Sequence, residues 1–175
     1  MKTRNLLIFI IVAVIAAGIG AYVSHQRTTV KLATTATDPA LAALFAQTLP
    51  DSHGKPQALS QWQGKPLIIN FWATWCAPCV QEMPELAAMQ KEITPVQIIG
   101  IGVDSQENIA QFAEKMHINY PLYVAGTGAT EWMRQFGNSA GGLPFTVLVG
   151  LDGNVKKVYL GRLNFEQLRQ DLKSL

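Results

Sequence analysis

From Leu6 to Val23 every position is apolar or small, and no charged residue falls between Asn5 and Ser24. At 1.5 Å per residue these 18 residues reach about 27 Å, enough for the hydrocarbon core of a bilayer. The pattern predicts one transmembrane helix within residues 1–23. A cleaved signal peptide is the alternative. It needs a shorter apolar core and a small-x-small cleavage site, and Gly18-x-Gly20 lies inside the run. Ser24–Thr37 is polar, rich in threonine and without an apolar period, so it reads as a flexible tether over residues 24–37.

The pattern changes at Asp38 and predicts one soluble domain over residues 38–175. Asp38 and Pro39 have the form of an N-cap and first helical residue ahead of a short helix, Ala40–Leu44. Phe45–Leu49 and Gln57–Leu59 read as hairpin arms. Pro66–Ala73 is almost continuously apolar, as a strand covered on both faces is, and Gln97–Val103 is similar. Helices are expected from about Cys76 to Ile93, after the Ser105 cap to Met116, over Ala129–Phe136, and from the Asn164 cap to Leu172. Tyr120–Val124 reads as a short strand, and Phe145–Val149 with Val155–Leu160 as a hairpin about Leu151-Asp-Gly-Asn154. Strands alternating with helices, closed by a hairpin and a helix, predict an α/β sandwich on a mixed sheet.

Charge narrows the function classes. The 14 Lys and Arg include Lys2 and Arg4, which precede the apolar run, and 12 Asp and Glu oppose them. The body is therefore near neutral, which argues against a nucleic-acid binder that tracks phosphates with a basic face. Lys2 and Arg4 would hold the N-terminus in the cytoplasm by the positive-inside rule. The domain would then be exported, in a bacterium to the periplasm or cell exterior.

The two cysteines, in Trp75-Cys-Ala-Pro-Cys79, follow a buried strand and open a helix. Positions i and i+3 share a helical face at a separation compatible with a disulfide. Unpaired N–H groups and partial positive charge at a helix start favour thiolate at Cys76. Pro78 is tolerated in the first turn because its missing N–H would have no helical partner. Cys76 would attack, and Cys79, one turn deeper, would resolve the mixed disulfide. A zinc site lacks two further ligands, since His25, His53 and His117 have no pair spacing. Covalent haem attachment needs His where Val80 stands. A lone structural disulfide remains the bland alternative, but it leaves the placement after a strand unexplained.

Asn70-Phe-Trp-Ala-Thr-Trp-Cys-Ala-Pro-Cys79, then Glu82 and Pro84, resembles the TlpA/ResA/CcmG family of membrane-tethered thioredoxin-like thiol–disulfide oxidoreductases. The resemblance runs from about Phe45 to the C-terminus. It implies a thioredoxin fold with an N-terminal β-hairpin and an αβ unit inserted after the motif helix. It also implies a redox-active Cys76–Cys79 disulfide, disulfide-containing exported substrates such as apocytochrome c, and a membrane thiol reductant of the DsbD or CcdA kind. No cofactor and no metal are expected. Asn70 stands where plain thioredoxin has a buried aspartate, and Glu82 is the family's replacement. Its carboxylate would shuttle the proton of Cys79, against the alternative of a solvated helix glutamate. Pro144 matches the cis-proline facing the cysteines, which would leave the Leu143 backbone free to pair with an extended substrate. The face that meets substrate is expected to comprise Trp75, Ala77, Pro78, Leu143 and Pro144.

Several features carry less. Phe145 stands where a small polar residue is commoner in the family, altering the groove or packing in the core. Trp72, Trp132, Met83 and Met89 read as core. Gly100-Ile-Gly-Val-Asp104 lacks the third glycine of a dinucleotide fingerprint. Pro84 should kink the motif helix. The resulting expectation is a membrane-anchored disulfide reductase. An oxidase or isomerase is the alternative within enzymes, and a docking module stapled by its cysteines is the alternative from another class.

Overall fold

In the computed structural model, residues 38–173 and 175 are described. The anchor over residues 1–23 and the tether over 24–37 lie outside them. Helix α1, Pro39–Phe45, starts at the Asp38 cap, whose Oδ1 accepts the Ala40 N–H at 2.8 Å. Strands β1, Thr48–Pro50, and β2, Pro56–Ala58, form an antiparallel hairpin, and a 3-10 turn, Leu59–Trp62, follows. Strand β3, Leu67–Trp72, leads into helix α2, Ala77–Gln90, then β4, Gln97–Gly102, and α3, Gln106–Lys115. The chain continues through β5, Leu122–Val124, α4, Ala129–Gln135, β6, Phe145–Val149, β7, Val155–Leu160, and α5, Phe165–Leu172.

The main sheet runs β5-β4-β3-β6-β7. The β3–β4 and β4–β5 pairs are parallel, and β3–β6 and β6–β7 are antiparallel. All six positions of β3 are buried because both faces of the sheet are covered. Leu67, Ile69 and Phe71 pack with Ile99, Ile101 and Val147 beneath α1, the 3-10 turn and α4. Ile68 and Trp72 pack on the other face with Ile98, Leu148, Met83 and Leu86, beneath α2, α3 and α5. Alternation of period two thus feeds two cores from one strand. The expected hairpin and inserted αβ unit are both present, the latter as α3 and β5 between the motif helix and β6.

Some boundaries move. Phe45 ends α1 rather than opening a strand, since it buries on the same stripe as Leu41 and Leu44. Tyr120 precedes β5, and the Pro121 carbonyl accepts the Gly100 N–H at 2.9 Å. Helix α2 ends at Gln90 and carries Pro84 within it. Among the described residues, no helix is long and apolar enough to cross a membrane.

Candidate active site

At the C-terminal end of β3 the chain turns through Thr74 and Trp75 into α2. Cys76 is the N-cap of α2, with φ −90° and ψ 98°, and its Sγ accepts the Cys79 N–H at 3.3 Å. Cys76 and Cys79 form a disulfide with S–S 1.98 Å and Cα–Cα 5.3 Å. The two residues are shielded unequally: Cys76 is 6% exposed and Cys79 is fully buried. Cys76 thus keeps a small exposed surface at the helix start, and Cys79 keeps none. Ala77 and Pro78 are exposed on the first turn, and Trp75 is 68% exposed beside them.

Beneath the disulfide, Glu82 is buried on the Cys79 side of α2, which removes the solvated-glutamate alternative. Asn70 Nδ2 donates to Glu82 Oε1 at 2.9 Å and to Thr146 Oγ1 at 3.0 Å. The Leu163 N–H donates to Glu82 Oε2 at 3.0 Å. Burial pushes the Glu82 carboxyl above its ordinary value. The donated hydrogen bonds from Leu163 and Asn70, and the charge of Arg162, oppose that rise without cancelling it.

The Leu143–Pro144 bond is cis, as expected of the loop before β6, and Thr94–Pro95 is a second cis bond that the sequence did not signal. The Pro144 carbonyl accepts the Gly161 N–H at 2.9 Å, which ties the loop to the end of β7. Phe145 is 2% exposed, with its ring 5.9 Å from that of Phe71, so it belongs to the core and not to the groove. Trp72, Met83 and Met89 are core residues as expected, while Trp132 is only partly buried.

Sequence reasoning missed the polar partners. Asn70, read only as a missing acid, is the donor that holds Glu82, and Thr146 and Leu163 complete the arrangement. A polar residue in each of two otherwise apolar strands was the available signal. Asp104 was also missed. Its Oδ2 accepts hydrogen bonds from the Thr74 N–H, at 3.2 Å, and from the Thr74 hydroxyl. Its Oδ1 accepts the Ser105 N–H and the Asn108 side-chain amide, each at 2.7 Å. Among the described residues, no group of three His, Cys, Asp or Glu side chains is placed to hold a metal ion.

The arrangement is a disulfide at a helix start, with a slightly exposed Cys76, a fully buried Cys79 and a buried carboxyl one turn further along α2. The Redoxin family model matches residues 31–172. The thiol-disulfide oxidoreductase ResA of Geobacillus thermodenitrificans is 28% identical over 98% of this chain and 94% of its own length. The ResA of Bacillus thuringiensis subsp. konkukian is 33% identical over 71% of this chain and 72% of its own. In fold, the chain is similar to the structure of MTB DsbF in its mixed oxidized and reduced forms. That likeness has a TM-score of 0.66 and 23% identity, and covers 79% of this chain and 98% of the other. With a thioredoxin-like fold, a Cys-x-x-Cys disulfide and full-length likeness to ResA, the chain belongs to the Redoxin family and is a thiol–disulfide oxidoreductase.

Proposed function

We propose that the protein is a membrane-anchored reductant of disulfides in exported proteins, apocytochrome c among them. The observation that carries this reading is the buried Glu82 behind a fully buried Cys79. In the dithiol form, Cys76 thiolate attacks one sulfur of the substrate disulfide and releases the other as thiolate. Cys79 gives its proton to ionised Glu82, and its thiolate then attacks Cys76 within the mixed disulfide. The substrate leaves fully reduced, two electrons richer, and the Cys76–Cys79 disulfide closes. Glu82 suits the proton step because burial raises its affinity for a proton, while two donated hydrogen bonds keep the carboxylate accessible.

Trp75, Ala77 and Pro78 supply the contact face around Cys76. The backbone of Leu143, ahead of Pro144, pairs with an extended substrate segment by strand addition. A membrane dithiol donor of the DsbD or CcdA kind restores the thiols. Leu6–Val23 holds the domain at the cytoplasmic membrane, on the periplasmic or outer side.

Trapping tests the reading. Cys79→Ser should accumulate covalent complexes through Cys76, and Cys76→Ser should yield almost none. Apocytochromes among the trapped proteins would support the substrate class. With neither variant trapping and Cys76 inert to small disulfides, the reductase reading fails.

A further inference from the structure

Strands β3 and β4 run parallel and end side by side, with Trp72 paired to Gly102. The chain leaves β3 into the Thr74–Trp75 turn that delivers Cys76, and leaves β4 into Asp104 and the inserted helix α3. Ligands of open α/β sheets sit at this edge, beyond the carboxyl ends of parallel strands. Asp104 bridges the two exits. One carboxylate oxygen takes both hydrogen-bond donors of Thr74, and the other takes the Ser105 N–H and the Asn108 amide. Four donors on one carboxylate fix both its position and its ionised state. No Lys or Arg is paired with it among the described residues.

We propose that Asp104 is a positioning residue for the redox centre: it clamps the Thr74 turn to the inserted helix, and its unneutralised negative charge beside that turn opposes the Cys76 thiolate. Destabilising the thiolate destabilises the dithiol form, so the couple shifts toward disulfide and the protein becomes a stronger reductant. This inference rests on the reductant reading above and names the residue that tunes it. Burial works to raise the Asp104 titration, but the hydrogen bonds from Thr74, Asn108 and Ser105 hold it below the ordinary carboxylate value. The charge is therefore present throughout the working pH range. Of the charged groups on α3, Glu107 stands in its first turn, and Lys115 in its last turn lines a groove with Thr74 and Asn108.

The test uses the full chain, with equilibration against a glutathione redox buffer and the pH dependence of Cys76 alkylation as readouts. Asp104→Asn should move the alkylation midpoint to lower pH. It should also raise the dithiol-to-disulfide ratio about threefold, or about 14 mV for a two-electron couple. Asp104→Glu, which keeps the charge, should stay near wild type, and Thr74→Val, which loosens the clamp and keeps the charge, should shift the couple by less than Asp104→Asn does. Gln111→Lys, which adds a positive charge on the exposed rim of the groove that Thr74 lines, should move both readouts the same way as Asp104→Asn and does not depend on that variant folding. An unmoved couple in Asp104→Asn, or an equal shift in Thr74→Val, would overturn the proposal. A wild-type couple as oxidising as a disulfide-forming enzyme would overturn the reductant reading alone, because the effect of Asp104 on the couple would still be measurable.

Discussion

Glu82 has two carboxylate oxygens and two fixed donors, the Asn70 amide and the Leu163 N–H. A glutamine at this position offers one acceptor oxygen, and its NH₂ must face the other donor. Glu82→Gln is therefore expected to cost about 1–3 kcal/mol of stability through one unmet buried hydrogen bond. The pH dependence of that cost follows from linkage. A carboxyl whose folded titration is raised binds more protons folded than unfolded, so the wild type loses stability as pH rises through that window. The gap between variant and wild type should be widest in acid and narrow toward neutral pH, as read by thermal unfolding of the oxidised protein. In the exchange reaction, the inflection due to Glu82 should disappear from the pH–rate profile of the variant. An unaltered profile would take Glu82 out of the proton path. The Cys76–Cys79 pairing was legible from spacing, and the cis bond at Pro144 and the placement of Glu82 only through the family resemblance that the motif carries. Asn70 and Thr146 were not, because a hydrogen bond across 76 positions of sequence depends on register, and register follows from the assembled sheet.

At the scale of elements, β4 shows how a weak motif resolves into packing. Gly100 and Gly102 face the α2 and α3 side of the sheet, opposite Asn70 and Trp72 in β3. A methyl group on Gly100 would come within 2.5 Å of Leu122 Cδ2 and 3.1 Å of Trp72 Nε1, and one on Gly102 would run into the Ile109 side chain. These glycines let Trp72, Leu122 and α3 lie close on the strand, and Phe112 of α3 brings its ring to 4.9 Å from that of Trp72. Gly102→Ala should destabilise the domain by about 1–3 kcal/mol through overpacking, seen as a lower urea midpoint. A wild-type midpoint would mean that Ile109 can move aside without loss. The strands and helices themselves were readable from periodicity and caps. Ends shifted where tertiary packing outweighed local pattern, as at Phe45, whose side chain the α1 core claims.

The whole molecule has two chemically distinct parts in its sequence, an unbroken apolar run and a near-neutral domain with its own two cores. The domain's described helices account for none of the apolar run, so membrane attachment, as proposed, rests on Leu6–Val23 alone. Lys2 and Arg4 stand on the short side of that run, and in the proposed topology their retention in the cytoplasm would leave the redox centre outside. The proposed location would suit the chemistry, because exported proteins acquire disulfides there that a cytoplasmic reductant cannot reach. A reporter enzyme active only outside the membrane, joined after Leu175, should therefore be active and sediment with membranes. Replacing Lys2 and Arg4 with glutamine should lower that activity by weakening the orientation signal while leaving sedimentation intact. An active reporter on a soluble product that begins near Ala21 would assign Leu6–Val23 to a cleaved signal and release the domain from the membrane. An inactive reporter in both backgrounds would place the disulfide in the cytoplasm and overturn the proposed substrates with it.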